Sequence, residues 1–299
     1  MAHRFDATAR ARARTAYETL EPMHVLCYFN PGLGAAQADT GLDAYAFYVG
    51  ARGAPLGECV PSVVSAAFYN FSEDIVHPGW EAAKAVGLDD VARRRDAMLA
   101  ESLAHVYGDA ADPATLTALA DRFYAIAARA PMAGRTLASA WAHVPRPDDP
   151  AVALWHAVAI LREWRGDGHI AALVGATLDR LEAVVFHEAR HPDPAIRKRG
   201  LGRRMSQLTR GWSDEQWDTA ADGLVDRGLL SRSTDDAGKV TDTLTDAGAA
   251  LYAEIEEITD DSAAAAWADV DDFDDLMASA RPFVKAVIDA GVLPGTKKK

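Results

Sequence analysis

GWSDEQWDTAADGLVDRGLLSRSTDDAGKVTDTLTDAGAALYAEIEEITD, residues 211–260, is the stretch that decides the fold of this chain. Its first helix is marked by Ser213 and, three positions later, Gln216, a capping box in which each side chain bonds the backbone N–H of the other residue. Apolar or small residues then recur at the spacing of one helical face, at Trp217, Ala220, Ala221, Leu224 and Val225. Gly228 predicts the end of this helix, because glycine readily adopts the left-handed backbone that follows many helices.

Two short strands are predicted next. Leu229 and Leu230 open the first strand, residues 233–239 form a polar turn that contains glycine, and residues 240–244 return as the second strand. Thr245 then caps a further helix with an apolar face. Helix, strand, turn, strand and helix, in this order, predict a winged helix-turn-helix.

Two runs within this stretch, LVDRGLL (224–230) and TLTDAGAAL (243–251), resemble the MarR-like winged-helix proteins. The winged stretch, together with ARGAPLGECVPSVVSAAFYNF (51–71) and LWHAVAILREWRGDGHIAAL (154–173), also resembles an actinobacterial family of SalK-like helix-turn-helix proteins whose function is not generally assigned. This resemblance covers most of the chain and implies a winged-helix fold. It implies no particular activity, because one fold hosts many functions.

The chain is long enough to bury a sizeable core, since it has 299 residues of which 49% are apolar. Helical patterns fill the sequence outside the wing, so we predict a mainly α protein. The proline-rich segment 145–150 is the best boundary candidate, because the residue before a proline favours an extended backbone. This division predicts a helical domain over residues 1–147 and a second helical unit, carrying the MarR-like winged helix, over residues 148–295.

Several functional classes receive no support from the sequence. No apolar run reaches the roughly 18 residues of a membrane span, and the N-terminal stretch lacks the apolar core of a secretory signal. Cys27 and Cys59 lie in apolar surroundings, as free thiols of a cytoplasmic protein do. Without a Walker loop, a GxGxxG run after a strand, a GxSxG elbow or a CxxC pair, the sequence points to no cofactor. A homodimer is compatible with it.

Charge argues against conventional DNA reading by the winged helix. The net charge is −13, and the candidate recognition helix SDEQWDTAADGLVDR carries five acidic residues and a single basic one, Arg227. Carboxylates brought to a groove are repelled by phosphates, whereas DNA affinity depends on Lys and Arg that displace counterions. A basic cluster precedes the helix and supplies the candidate phosphate contacts Arg197, Lys198, Arg203 and Arg204. DNA binding is therefore kept as a disfavoured alternative.

A metal-site motif occurs at residues 187–191. His187, Glu188 and His191 match HExxH, which on a helix places two imidazoles on one face with a glutamate as general base of a zinc hydrolase. Pro192 follows immediately, however, and Arg190 places a cation beside the two histidines. A frayed helix end is the competing interpretation, so these histidines are minor metal candidates.

A ligand pocket is predicted from aromatic, Arg and His residues that cluster in both halves of the chain. RGDGH (165–169) is expected to form a tight turn between two helices, in which Asp167 orients His169 and nearby arginines hold an anion. The competing interpretation is a purely structural turn and an aromatic core. The predicted ligand-binding residues are Arg52, Phe68, Tyr69, Trp155, His156, Arg162, Arg165 and His169.

Three functional hypotheses follow from these patterns. The first is a small-molecule-binding winged-helix protein, with a pocket for a small aromatic ligand between its two halves and without conventional DNA binding. The second is a MarR-like, ligand-responsive DNA-binding regulator. The third is an enzyme that uses either the His187/His191 pair or His169.

Overall fold

The structure is a computed structural model that describes residues 3–108, 111–194, 196 and 200–296. The helices of the N-terminal half are α1 (Ala7–Val25), α2 (Leu33–Thr40), α3 (Ala44–Gly53), α4 (Pro61–Phe68), α5 (Glu73–Val86), α6 (Leu88–Tyr107), α7 (Pro113–Ala127) and α8 (Thr136–Ala142). The remaining elements are α9 (Pro150–Gly175), α10 (Arg180–Glu188), α11 (Arg203–Arg210), α12 (Asp214–Asp226), β1 (Leu230–Thr234), β2 (Val240–Leu244), α13 (Asp246–Trp267) and α14 (Phe273–Asp289). The predicted fold class is confirmed: the protein is mainly α with a small two-stranded wing.

The helix-turn-helix consists of α11, the turn at residues 211–213, and α12. The predicted capping box is present, because the Ser213 hydroxyl accepts from the backbone N–H of Gln216 at 3.2 Å, and the Gln216 side-chain oxygen accepts from the backbone N–H of Ser213 at 2.9 Å. Gly228 follows the helix at φ 70°, the left-handed conformation predicted for it. Local sequence signals therefore set both ends of the candidate recognition helix.

The wing is an antiparallel hairpin whose pairing runs from Leu230 opposite Leu244 to Thr234 opposite Val240. A third segment joins it, because Arg190 forms a parallel bridge with Thr243. In this bridge the Arg190 N–H donates to the carbonyl of Asp242, and the Leu244 N–H donates to the carbonyl of Arg190, both at 2.9 Å. The sheet thereby fixes the segment that follows α10.

Two hydrophobic cores hold the elements together. The smaller core belongs to the winged helix and includes Phe186, Trp217, Leu224, Leu230 and Leu244. The larger core surrounds α9 and draws on α1, α3, α5 to α8, α13 and α14. Its largest fully buried side chains include four tryptophans, Trp80, Trp141, Trp155 and Trp164. This core takes residues from both sides of position 147, because α9 packs into the helical half. The domain boundary predicted at residues 147 and 148 stays a prediction.

The expected turn at RGDGH is wrong. Helix α9 runs without interruption from Pro150 to Gly175, so residues 165–169 are helical and the chain turns only after Ala176. Gly168 lies within this continuous helix, where its lack of a side chain lets Arg135 and Ser262 approach the backbone closely. A Cβ there would lie 1.9 Å from Nη1 of Arg135 and 2.7 Å from Oγ of Ser262. Packing against the opposite elements thus explains a glycine that the sequence suggested was a turn residue.

The turn of the helix-turn-helix is docked on the helical half. The Ser72 N–H, at the start of α5, donates to the carbonyl of Arg210 at 2.9 Å, and the Trp212 indole N–H donates to the carbonyl of Asn70 at 3.0 Å. A salt bridge of 2.8 Å between Arg180 and Glu73 lies on the same boundary. These contacts bring the end of α11 against the segment that links α4 to α5.

None of the described helices combines the length and the apolar character that crossing a bilayer requires.

Candidate functional site

A buried ion pair between α3 and α9 forms the centre of the candidate site. Arg52 donates from Nε and Nη2 to the two carboxylate oxygens of Glu163, each at 2.8 Å. The Glu163 side chain is 1% exposed, and the Arg52 guanidinium lies 4.6 Å from the ring centroid of Phe68. Burial by itself disfavours both charged forms. The attraction and hydrogen bonds between Arg52 and Glu163 outweigh burial, so the pKa of Glu163 falls well below its usual value and the pKa of Arg52 rises well above its usual value.

Arg162 connects this pair to α1. Its Nε and Nη2 atoms lie 3.2 and 3.3 Å from the Glu21 carboxylate, and its Nη1 lies 3.4 Å from Oε2 of Glu163. Burial opposes the charge of Arg162, but Glu21 and Glu163 outweigh it and raise its pKa. Although it contacts two carboxylates, the Arg162 side chain remains 29% exposed.

Half-buried aromatic rings line the same region. The ring centroids of Tyr28 and Tyr48 are 5.0 Å apart, those of Tyr48 and Phe71 are 5.2 Å apart, and Arg210 lies 5.8 Å from the centroid of Phe71. Together with the central arginines these groups form a surface that we call the arginine–aromatic site. Its members are Tyr28, Tyr48, Arg52, Phe71, Arg162 and Arg210. The site lies between the helical half and the helix-turn-helix.

Several buried polar atoms in this region have no hydrogen-bond partner among the described residues. They are both ring nitrogens of His24, the hydroxyl of Tyr28 and Nε of Arg210. The Nε2 atom of His24 lies 3.7 Å from Glu163, beyond hydrogen-bond distance, and burial lowers the pKa of His24 so that the ring is neutral. Buried polar groups in proteins are nearly always hydrogen-bonded, so this group of exceptions is informative.

Three of the predicted ligand residues lie elsewhere. His156 is buried and doubly bonded, because its Nδ1 is 2.6 Å from the Tyr124 hydroxyl and its Nε2 is 3.2 Å from the carbonyl of Trp141. Trp155 is a core residue whose indole N–H donates to the carbonyl of His24 at 3.2 Å. The Tyr69 hydroxyl donates to the carbonyl of Leu178. Arg52, Phe68 and Arg162, by contrast, are brought together.

Arg165 and His169 lie further along α9, facing α13. Arg165 binds Asp260 at 3.2 Å and lies 3.9 Å from the ring centroid of Tyr17. The Nδ1 of His169 is 3.0 Å from the hydroxyl of Thr259, which itself donates to a backbone carbonyl, so Nδ1 carries the proton. Burial lowers the pKa of His169 to about 4, which keeps the ring neutral at pH 7. These two residues therefore contact α13 and are not members of the arginine–aromatic site.

The HExxH motif does not occupy one helical turn. Helix α10 ends at Glu188, and the following extended backbone leads Arg190 into the wing, so His187 and His191 do not share a helix face. The carboxylate of Glu188 accepts from the N–H of Leu201 and Gly202 at 3.1 and 2.7 Å, and from a serine hydroxyl. Within the described part of the chain, no three potential ligands are grouped to hold a metal ion.

Three of the five acidic residues of α12 form ion pairs within the protein. Arg203, one of the candidate phosphate contacts, forms salt bridges of 2.8 Å with both Asp214 and Asp218. Arg232 of the wing binds Asp222 at 2.7 Å and also reaches Asp218 at 3.3 Å. Arg203 is thus committed to carboxylates in the fold.

Among the other candidate phosphate contacts, Arg204 is exposed on α11. The predictions for Arg197 and Lys198 fall outside the described residues.

Two recesses border α9 in the described part of the chain. A cavity of 20 Å³, the volume of about one water, lies between α1 and α9 and is lined in part by Tyr17, Glu21, Arg162 and Arg165. A larger recess of 590 Å³ lies between the C-terminal part of α9 and α13, beside residues 133–135. None of the predicted ligand residues lines the larger recess, whose walls are mainly small and aliphatic.

The predicted ligand residues omit four of the six members of the site, Tyr28, Tyr48, Phe71 and Arg210, and its central carboxylate. Tyr28 and Tyr48 resemble ordinary core aromatics, and Arg210 ends a short basic helix that resembles a solvated surface. Glu163 had a usable signal, because a lone acid in the apolar run WHAVAILREW of a buried helix must be paired. The partner of such an acid is chosen by the tertiary fold.

Comparison with known proteins agrees with the architecture. The model of a helix-turn-helix family matches residues 13–294 of this chain. The chain belongs to this helix-turn-helix family. Neither a curated protein nor a solved structure matches it significantly. Membership in the family supports the helix-turn-helix architecture and leaves the activity to be argued from the site.

Proposed function

We propose that the protein binds a small molecule at the arginine–aromatic site, between the helical half and the winged helix. The observation that carries this proposal is a set of buried polar atoms on His24, Tyr28 and Arg210 that have no hydrogen-bond partner in the described part of the chain. A buried donor or acceptor without a partner costs about 1–3 kcal/mol. A bound molecule with complementary groups would remove this cost, and the gain would appear as binding affinity.

The rings of the site suit an aromatic ligand. Tyr48 makes an edge contact with Tyr28 and stacks on Phe71, and all three rings keep part of their surface exposed. Aromatic pairs in offset or edge geometry add about 0.5–1.5 kcal/mol beyond area burial. A flat ring inserted beside Tyr48 would gain such contacts on two sides, while the guanidinium groups would bind its polar substituents.

The arrangement of α12 supports a role other than conventional DNA reading. Three of its carboxylates form ion pairs with Arg203 and Arg232, so these two arginines are already engaged within the protein. The turn before it is docked on Asn70 and Ser72 of the helical half. For α12 to bind DNA, these arginines would have to leave their carboxylates and contact phosphates instead. The docked turn would also have to remain accessible to DNA.

The second candidate function is a ligand-responsive regulator of the MarR-like type. One observation favours it: Arg210 belongs both to the arginine–aromatic site and to the helix-turn-helix, as the last residue of α11. A ligand there would act directly on the element that a winged-helix protein presents to DNA. In this version, DNA binding would depend on ligand and would fall with added salt.

A thermal-shift and tryptophan-fluorescence screen with neutral and acidic one-ring and two-ring aromatic compounds tests the first proposal. We expect binding that is weakened about tenfold or more in Tyr48→Ala, the loss of roughly 1.4 kcal/mol. Tyr124→Ala is the matched control, because Tyr124 is also half-buried and contacts His156 outside the site. If no compound shifts the wild-type protein, or if both variants respond alike, the proposal fails.

Fluorescence anisotropy with a duplex of about 30 base pairs at low salt separates the two candidates. The first predicts binding no tighter than the roughly 10⁻⁴–10⁻⁶ M typical of non-specific contacts, with or without ligand. Tighter binding that disappears in Arg204→Gln and responds to a site ligand would instead establish the regulator. The exposed residue Arg204 is used because Arg203 is needed for the internal ion pairs.

A further inference from the structure

Arg210 is placed in the arginine–aromatic site by the backbone that surrounds it. The next residue, Gly211, has φ 74°, and a Cβ at that position would lie 2.5 Å from Cγ2 of Ile75. The chain therefore passes closely over α5, where the Ser72 N–H donates to the carbonyl of Arg210 at 2.9 Å. With its carbonyl fixed on one side, Arg210 directs its guanidinium toward Phe71 in the site.

The guanidinium of Arg210 has no carboxylate partner among the described residues. Its Nε is buried and unbonded, and Nη1 makes one long contact of 3.3 Å with the Thr209 hydroxyl. Burial lowers the pKa of Arg210, and the attraction of Tyr48 and Glu188 does not offset this effect. Glu188 itself is engaged by the loop before α11 and by Ser206.

The other arginines of the region are paired. Arg52 has Glu163, Arg162 has Glu21 and Arg165 has Asp260. An internal cation that lacks such a partner is costly, because burying a charge is favourable only when it is paired and hydrogen-bonded. Among the described residues, no carboxylate forms a salt bridge with the half-buried Arg210.

We propose that Arg210 is the anion-recognising residue of the site and that the ligand is an aromatic acid. Its carboxylate or phosphate oxygens take the place of the absent protein carboxylate, with the planar guanidinium offering two parallel donors. This inference rests on the proposed function, and it adds the chemical class of the ligand. Since Arg210 ends α11, occupancy by the acid also ties the ligand to the helix-turn-helix.

The role makes an unusual stability prediction. Removing an arginine that stabilises the fold lowers the stability of the protein. Removing an arginine that serves ligand binding and has no carboxylate partner should instead raise the stability. Arg210→Met keeps the side-chain volume and removes a desolvated charge, so we expect a higher Tm for the ligand-free protein. Arg204→Met, on the exposed face of the same helix, is the control and leaves the Tm nearly unchanged.

Titrations with benzoate, phenyl phosphate and the neutral benzamide test the ligand class in the wild type, Arg210→Met, Arg210→Lys and Arg204→Met. We expect at least one of the acids to bind the wild type about tenfold or more tighter than benzamide, as for a charge-assisted hydrogen bond. The preference falls to about twofold or less in Arg210→Met, partly returns in Arg210→Lys and is retained in Arg204→Met. The acid that binds tighter distinguishes a carboxylate ligand from a phosphate ligand.

Each contrary outcome has its own meaning. If benzamide binds as well as both acids and Tyr48→Ala weakens all three, the proposed function holds and the inference about Arg210 is overturned. If the acid preference survives in Arg210→Met, the anion is recognised by another residue and the inference is again overturned. If none of the three probes binds and the broader aromatic screen is also negative, both proposals fail together. If Arg210→Met lowers the Tm and keeps the preference for acids over benzamide, Arg210 stabilises the fold and does not recognise the anion, so the inference is overturned.

Discussion

Replacing Glu163 with Gln removes the anion at the centre of the candidate site without changing the side-chain volume. Arg52 then keeps a buried charge beside a neutral amide, whose oxygen replaces only one of the two carboxylate acceptors at 2.8 Å, and Arg162 loses its anionic neighbour at 3.4 Å while retaining Glu21. Breaking a buried ion pair by removing one partner costs about 3–5 kcal/mol. Because Glu163 serves two guanidinium groups, we expect about 4 kcal/mol of lost unfolding free energy at pH 7.

Urea unfolding followed by the fluorescence of the buried tryptophans measures this loss. The control is Asp90→Asn, which removes an exposed partner of Arg93 and should cost less than about 1 kcal/mol. The double change Arg52→Met with Glu163→Met removes both charges together and should be less destabilised than Glu163→Gln alone, since no uncompensated charge remains at that pair. If Glu163→Gln costs no more than Asp90→Asn, the central ion pair is not formed and the reasoning about the site is refuted.

Other predictions concern the rest of the fold. Burial lowers the pKa of His156 and of His169 to about 4, from about 6.5 when unfolded, so their contribution is intact above pH 6.5 and is lost as the pH falls. These two groups should contribute about 4 kcal/mol to the difference in unfolding free energy between pH 7 and pH 5, and His169→Gln should remove about half of that contribution. Gly168→Ala forces the Arg135 guanidinium aside and should cost about 1–3 kcal/mol. The same change at Gly175, where nothing lies within 4 Å of the added Cβ, should be neutral or stabilising in the same thermal-melt comparison.

The contacts around the helix-turn-helix connect its turn to the arginine–aromatic site. Ser72 and Asn70 hold the turn through its backbone and the Trp212 indole, and the preceding Arg210 side chain enters the arginine–aromatic site. A ligand can change the position of such an element only through a difference in affinity between its two positions. An acid bound to Arg210 in the docked position would supply that difference and stabilise the docked turn.

The sequence was a good guide wherever the deciding interaction joins residues a few positions apart. The Ser213–Gln216 capping box, the left-handed Gly228 and the Thr245 cap of α13 are local, and each forms as predicted. The hairpin is also local, because its strands are linked by a short polar turn. Local signals failed at RGDGH, where the glycines suggested a turn but the helix is continuous and Gly168 makes room for the Arg135 side chain.

Sequence alone therefore determined the mainly helical class, the winged unit and the acidic character of α12, because helix periodicity, caps and charge are properties of neighbouring residues. Only the tertiary structure decided which charges meet. Arg52 and Glu163 are 111 positions apart, and Arg210 reaches Phe71 from across the molecule. Ion pairs depend on how faces pack. Packing gives carboxylate partners to Arg52, Arg162 and Arg203, and it leaves Arg210 without one among the residues that the structure describes.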